Sequence, residues 1–287
     1  MIQIEELPEL HDPVMICAFE GWNDAGEAAS RLVGHLASLW DAEIVAAIDP
    51  EDYYDFQVTR PRMVAEGVRR RVQWRTTRVL HAPVQRVGRR DVILVQGIEP
   101  SFRWRRFSTE IVELAEDLGV GAVVTLGALM ADVAHTREIP VTATSENEAT
   151  IHRYDLERST YEGPTGITGV LADAVDQAGL TSISCWVAVP HYAGVAPSPK
   201  ATLALLARVE SLIEVPIEAG ALPEAAREWQ ATIDEIAADD DEVTEYVQAL
   251  EEAQDTAGLP QASGDAIARV FEAYLRDQGP GGKDLTG

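Results

Sequence analysis

The run Val14-Met-Ile-Cys-Ala-Phe19 is apolar at every position and stops abruptly at Glu20-Gly21. A run of that length suits a strand buried on both faces and is too short for a helix. From Ala25 onward the residues favour helix, with an apolar face at Ala29, Leu32, Val33 and Leu36. The stretch therefore predicts strand, tight turn and helix, the opening of a βαβ unit. Asn23 and Asp24 fall at the turn, where short polar side chains cap helices.

Turns of this kind can hold phosphate. Gly21 and Gly26 have the spacing of the first two P-loop glycines, but Glu27 stands where the lysine belongs, and its carboxylate would repel phosphate. The fingerprint G-x-G-x-x-G is also absent. A capped βα turn and a loop for some other ligand both remain open.

The alternation of strand and helix continues along the chain. Residues 43–48 read as a second strand, ended by Asp49-Pro50. Asp91-Val-Ile-Leu-Val-Gln-Gly97 is a buried strand, followed by a helix that Ser108 can cap and Gly119 ends. Residues 120–126 are another strand, with Gly127 at its end. Residues 139–144 suit a further strand, with Pro140, which cannot donate a ladder hydrogen bond, at an edge position or at the strand start. Glu162-Gly-Pro-Thr-Gly-Ile-Thr-Gly169 leads into a helix, whose N-terminus could hold an anion. The same glycines could equally serve tight turning and close packing. Residues 182–189 form the last strand of the core, and Pro199 opens the helix after it.

Strands separated by helices predict a three-layer α/β/α domain with a mainly parallel sheet. Two regions stand outside that pattern. Residues 53–90 read as a β-rich insertion, and ten arginines fall between Arg60 and Arg90. Those arginines either pair with acidic segments of the chain or form a docking patch. After Pro216 the composition shifts, and Arg227 is the one basic residue from Glu218 to Asp255. Apolar stripes there (Trp229, Ile233, Ile236; Val243, Tyr246, Val247, Leu250; Ile267, Val270, Phe271, Tyr274) must pack on the core or on a partner. The expected organisation is a core domain at 1–217, an acidic helical extension at 218–278 and a disordered tail at 279–287.

Ligand crevices in parallel sheets lie beyond the strand C-terminal ends. The polar residues expected there are Asn23, Asp24, Glu99, Arg103, Arg105, His135, Thr136, Arg137, His191 and Tyr192. Tyr161, Glu162, Gly166 and Lys200 precede helices that could face the same space. This mixture of carboxylates, imidazoles and cations suits acid-base chemistry or an anion pocket. No nucleophile elbow, H-E-x-x-H or C-x-x-C occurs, and the six histidines are scattered singly, so no metal and no cofactor is expected. Cys17 and Cys185 lie in apolar runs and read as buried thiols.

A formal charge of -25 argues against nucleic acid and anionic membrane surfaces as partners, and for basic partners. No stretch reaches the roughly 18 apolar residues of a membrane span. Met1-Ile-Gln-Ile-Glu-Glu has no basic region before an apolar core, so a cytoplasmic location is expected.

Gly21-Trp-Asn-Asp-Ala-Gly26 resembles the opening motif of the proteasome assembly chaperone 2 family, in its actinobacterial branch. Gln96-Gly-Ile-Glu-Pro-Ser-Phe-Arg-Trp104, His135-Thr-Arg137, Tyr161-Glu-Gly-Pro-Thr-Gly-Ile-Thr-Gly169, Val189-Pro-His-Tyr192 and Pro199-Lys200 resemble later segments of the same branch, in order. The resemblance implies a fold related to the phosphorylase/hydrolase-like α/β proteins, self-association as a homo-oligomer with a trimer as one form, and an assembly role with proteasome subunits or another client. Family chaperones often end in a hydrophobic-tyrosine-any tripeptide; this sequence ends Leu285-Thr-Gly287, so docking by that route is not expected. The fold kinship also leaves open a small-molecule enzyme, hydrolase- or phosphorylase-like, holding a phosphate or nucleoside-like ligand with Arg105, Arg137 and the Gly166 turn. Convergence of Asp24, Glu99, His135 and His191 on one pocket would mark that alternative.

Overall fold

The computed structural model describes residues 3–4, 9–84, 90–193 and 196–257. In chain order they form β1 (Gln3–Ile4), β2 (Val14–Glu20), α1 (Ala28–Leu39), β3 (Glu43–Ala47), β4 (Arg62–Glu66) and β5 (Arg69–Gln73). Next come β6 (Arg78–Val84), β7 (Arg90–Ile98), α2 (Trp104–Asp117), β8 (Ala122–Ala131), β9 (Val141–Thr144) and α3 (Glu148–Tyr154). The remainder is α4 (Ile167–Gln177), β10 (Ser182–Pro190), α5 (Pro199–Ile213), α6 (Leu222–Ala238) and α7 (Asp241–Ala257).

One mixed sheet runs in the order β1-β3-β6-β7-β2-β8-β10-β9. Its centre, β7-β2-β8-β10, is parallel throughout. β6 is antiparallel to β7 and β3 antiparallel to β6, so β3 points the same way as the central strands. β1 and β9 close the two edges antiparallel. The second strand of the expected βαβ unit is thus parallel to the first but not beside it, with β6 and β7 between.

Both faces of the sheet are covered, which is why β2 needed an unbroken apolar run. Val14, Ile16 and Ala18 face the α1 and α5 layer, while Met15, Cys17 and Phe19 face α2 and α4. The period of two divides one strand between two cores. Phe107 closes the second core edge-on to Phe19 and Tyr53, with centroids 5.6 and 5.2 Å away.

Several local expectations need correction. β8 does not end at Gly127 but continues to Ala131. Gly127 is required there because the Trp186 ring of β10 lies across it, and an added Cβ would come within 2.6 Å of that ring. Ser108 does not cap α2, which begins at Trp104 and leaves Ser108 buried in its second turn. The early start is held by Trp104 Nε1 donating to the Pro100 carbonyl and by Arg103 and Arg106 pairing with Asp52. The β-rich insertion is shorter than 53–90. Arg78–Val84 is β6, in the main sheet, and among the described residues only the β4–β5 hairpin stands apart as its own two-stranded sheet.

α6 and α7 pack on the core of their own chain. Ile233, Ala237, Val247 and Leu250 are buried, as the stripes required. Ile236, at the flank of that stripe, is the exception at 58% exposed. The stripe at Ile267–Tyr274 and the tail at 279–287 lie outside the described residues. No helix among the described residues is long and apolar enough to cross a membrane.

Candidate functional site

The residues predicted for one crevice divide between two separate clusters. The first joins the turn after β2, the end of β7 and the start of α4. Asn23 is fully buried and its Nδ2 donates to Glu99 Oε1 at 2.8 Å. The same oxygen accepts from the backbone N–H of Ile167, the first residue of α4, at 2.9 Å. A helix N-terminus attracts anions, and here the protein's own carboxylate takes that position. Gly166 makes the approach possible: a Cβ there would stand 2.1 Å from Asn23 Oδ1 and 2.7 Å from Glu99 Oε1. Asp24 faces the other way. Its Oδ1 accepts from the backbone N–H groups of Ala29 and Ser30 at 2.8 and 3.2 Å, capping α1 as expected. Burial raises its pKa, against the pull of those hydrogen bonds.

The second cluster lies past the C-terminal ends of β8 and β10, and the extension fills it. His135 is 1% exposed. Tyr192 OH accepts from its backbone N–H at 2.8 Å and meets Nδ1 at the same distance; because the Asp234 carboxylate can only accept from Nε2, the neutral ring leaves Nδ1 as the acceptor of the hydroxyl proton. Nε2 then carries the proton and donates to Asp234 Oδ1 of α6 at 2.9 Å. Burial depresses the imidazole pKa, with Asp234 opposing it. Lys200 donates Nζ to the His135 carbonyl and to Gln230 Oε1 at 2.5 and 2.6 Å, and burial lowers its pKa too. Tyr192 is pushed up to about 12 by the same cause.

α7 closes the rest. Arg137 makes a two-pronged pair with Asp255, both contacts at 2.9 Å, and reaches Glu251 at 3.1 Å. Thr136 also donates to Glu251. Gln254 Oε1 accepts from the Ala134 N–H at 2.6 Å. His191 pairs with Asp132 at 3.2 Å, and its ring stands edge-on to Tyr192 and Tyr246. Tyr246 OH donates to the same Asp132 carboxylate.

The other predicted residues stand alone. Arg105 and Glu162 are exposed. Tyr161 donates its hydroxyl to the Pro164 carbonyl and lines a cavity of about 590 Å³ with Trp22 and Trp186. Asp24 lines a different cavity, of about 1130 Å³, between α1 and the β4–β5 hairpin, and Glu99, His135 and His191 do not line it. Arg105, Arg137 and Gly166 do not assemble a shared anion site: Arg137 is held by α7, and the Gly166 turn by Glu99. Among the described residues no group of His, Cys, Asp and Glu could hold a metal ion. Asp234, Gln230, Glu251, Gln254 and Asp255 are the residues that sequence reasoning missed. A faint signal existed, since Gln230 and Asp234 sit one helical turn apart beside the Trp229 stripe.

The model of the PAC2 family matches residues 18–237. A PAC2 family protein from Streptomyces avermitilis is 52% identical with a TM-score of 0.79, over 82% of this chain and 100% of that one. The proteasome-assembly chaperone homologue of Mycobacterium tuberculosis is 44% identical with a TM-score of 0.74, over 82% and 99%. A second M. tuberculosis protein, of unknown function, is 32% identical with a TM-score of 0.78, over 89% and 91%. No functionally curated protein matches the sequence.

Proposed function

Because the chain belongs to the PAC2 family, the proteasome assembly chaperone 2 family that its motifs resemble, we propose that it is a protein-interaction factor acting in assembly. Its clients in this proposal are proteasome subunits or another defined protein, and it works in the cytoplasm as a homo-oligomer, with a trimer the first stoichiometry to test. The M. tuberculosis relative is a proteasome-assembly chaperone homologue, and that role is carried over here as part of the proposal.

The observation that supports it most is the occupation of the crevice. The space past β8 and β10, where an enzyme of this architecture would hold its substrate, is taken by α6 and α7 through Asp234, Gln254 and Asp255. Asn23, Asp24, Glu99 and Gly166 are assigned to holding the fold. His135, Arg137, His191 and Lys200 are assigned to holding the extension. The small-molecule alternative needs Asp24, Glu99, His135 and His191 around one ligand, and each is engaged in a different contact.

The test is reconstitution. Purified proteasome α and β subunits of the same organism are mixed with and without the protein, and assembled particles are followed on native gels. Faster assembly, with a transient complex between the chain and free subunits, is expected. Unchanged assembly kinetics and no complex with either subunit would overturn the proteasome reading.

A further inference from the structure

One face of β9 and β10 breaks the pattern of the rest of the sheet. Along β10, Ile183, Cys185 and Val187 enter the core under α1 and α5, so Ser182, Ser184 and Trp186 point the other way, toward α4. In register, Thr142 lies opposite Trp186 and Thr144 opposite Ser184, and opposed residues share a face. On the same side of β2 the residues are apolar, Met15, Cys17 and Phe19. Here they are four hydroxyls and an indole. This polar floor underlies the cavity of about 590 Å³ walled by α4 and residues 157–165. Cavities of about 300–1,000 Å³ hold small ligands. Neither α6 nor α7 lines this one, so it is separate from the crevice they fill.

The cavity has two unlike ends. Ser182 Oγ donates to the Ala172 carbonyl, which sets the start of β10 beside Asp173 and Asp176 of α4. Trp186 lies four residues along β10, about 13 Å away at about 3.3 Å per residue. The Asn23 carbonyl accepts from the Ala128 N–H, which brings the neighbouring Trp22 to that end. Tyr161 reaches the same end through its bond to the Pro164 carbonyl, just before α4. Two of these rings are held in place. Trp186 Nε1 donates to Ser184 Oγ at 3.0 Å, and the Tyr161 ring folds back over Gly163, where a Cβ would come within 2.5 Å of its hydroxyl. The charges are one-sided. Glu146, Glu157, Asp173 and Asp176 line the cavity against one guanidinium, Arg158, which is committed to Glu146 and Glu148 at 3.1 and 2.7 Å. Asp173 and Asp176 share a face of α4 and have no ion-pair partner among the described residues. Such a lining repels anions and attracts cations, as do the faces of tryptophan and tyrosine.

We infer that this groove binds an elongated alkylamine, with one ammonium group at Asp173 and Asp176 and the chain laid across the floor to the rings of Trp22, Tyr161 and Trp186. The Thr144 hydroxyl has no partner among the described residues and can accept from a second nitrogen midway. The same chemistry is offered by a free polyamine and by a lysine that ends an extended peptide, in which four residues span the same distance of about 13 Å. The site stands independently of the assembly role proposed above.

Isothermal titration calorimetry of the full chain tests it, at about 0.15 M salt, where the screening length is about 8 Å. The probes are spermidine, the blocked peptide acetyl-Leu-Ala-Ala-Lys-amide, and octanediol as a neutral chain. At least one of the two amines is expected to bind at a single site and to saturate below about 1 mM. The tighter of the two identifies the source, a free polyamine or the lysine of a partner. Asp173→Asn with Asp176→Asn, and separately the uncharged change Trp22→Ala, should each weaken binding by about tenfold or more. Glu235→Gln with Asp239→Asn removes two carboxylates on α6 instead and should change it by less than about twofold. Trp22, Asp173 and Asp176 are all exposed, and thermal melts check that each variant is folded. Three results would each overturn the site: no saturation by either amine, octanediol binding as tightly as they do, or a loss in the α6 pair as large as in the α4 pair. Binding that ignores Trp22→Ala would likewise reduce it to attraction by the acidic surface.

Discussion

Replacing Gly166 by alanine tests the junction on which the β2 turn, the end of β7 and α4 all meet. The new methyl would have to sit 2.1 Å from Asn23 Oδ1 and 2.7 Å from Glu99 Oε1, closer than non-bonded atoms approach. Asn23 is fully buried and its amide has no route to solvent. The least costly relief moves the Glu99 carboxylate, which forfeits its hydrogen bonds to Asn23 Nδ2 and to the Ile167 N–H. Hydrogen bonds to a charged group contribute about 1.5–3 kcal/mol each, and Glu99 is half-buried, so the lower end applies. The expected loss is about 2–4 kcal/mol. At about 2–4 °C per kcal/mol for a chain of this size class, the melting temperature should fall by about 5–15 °C. Differential scanning calorimetry of Gly166→Ala, Asn23→Ala and the double variant measures it. With the Asn23 oxygen removed the methyl has more room, so Gly166→Ala should cost at least about 1 kcal/mol less in that background. A melting temperature within about 2 °C of wild type, or equal costs in both backgrounds, would refute the argument.

Asp234→Ala leaves the buried Nε2–H of His135 without its acceptor, and should cost about 1–3 kcal/mol, seen as faster hydrogen exchange in α6. Acid should loosen the same contact. Burial holds His135 below its ordinary pKa, so the unfolded chain binds more protons than the native one as pH falls through about 6.5, and stability falls with it. Asp234 and Glu251 favour the protonated ring and Lys200 opposes it, with burial outweighing them. Exchange in α6 and α7, corrected for its intrinsic pH dependence, should quicken between about pH 7 and pH 5, and His135→Gln should remove most of that change. Arg137→Ala breaks pairs at the exposed end of α7 and should cost no more than about 1 kcal/mol in a chemical melt, far less than Gly166→Ala. Cys17 and Cys185 are fully buried, with Cys185 pushed up to about 12, so a thiol reagent should label neither in the folded protein and both after denaturation.

The sequence by itself determined the central strands and helices and their layering, though not the end of β8, the start of α2 or the place of β6 in the main sheet. An apolar run in β2 has one reason to be apolar throughout, burial on both faces, and that condition already implies helices above and below. Local rules placed Asp24 as a cap and Pro199 at a helix start, because caps depend on neighbours a few residues away. The tertiary structure alone decided what the polar residues do. Glu99 meets Asn23 and Ile167 across 76 and 68 residues, and His135 meets Asp234 across 99. No local pattern encodes such distances. Gly127 looked like a strand end until the Trp186 ring gave it a reason to lie within one. A strand end needs a polar residue whether it binds a ligand or a helix, so the residue types at β8 and β10 were the same under either outcome. The packing of α6 and α7 chose between them, because only the folded chain brings a carboxylate from each helix to the histidine and arginine that follow β8.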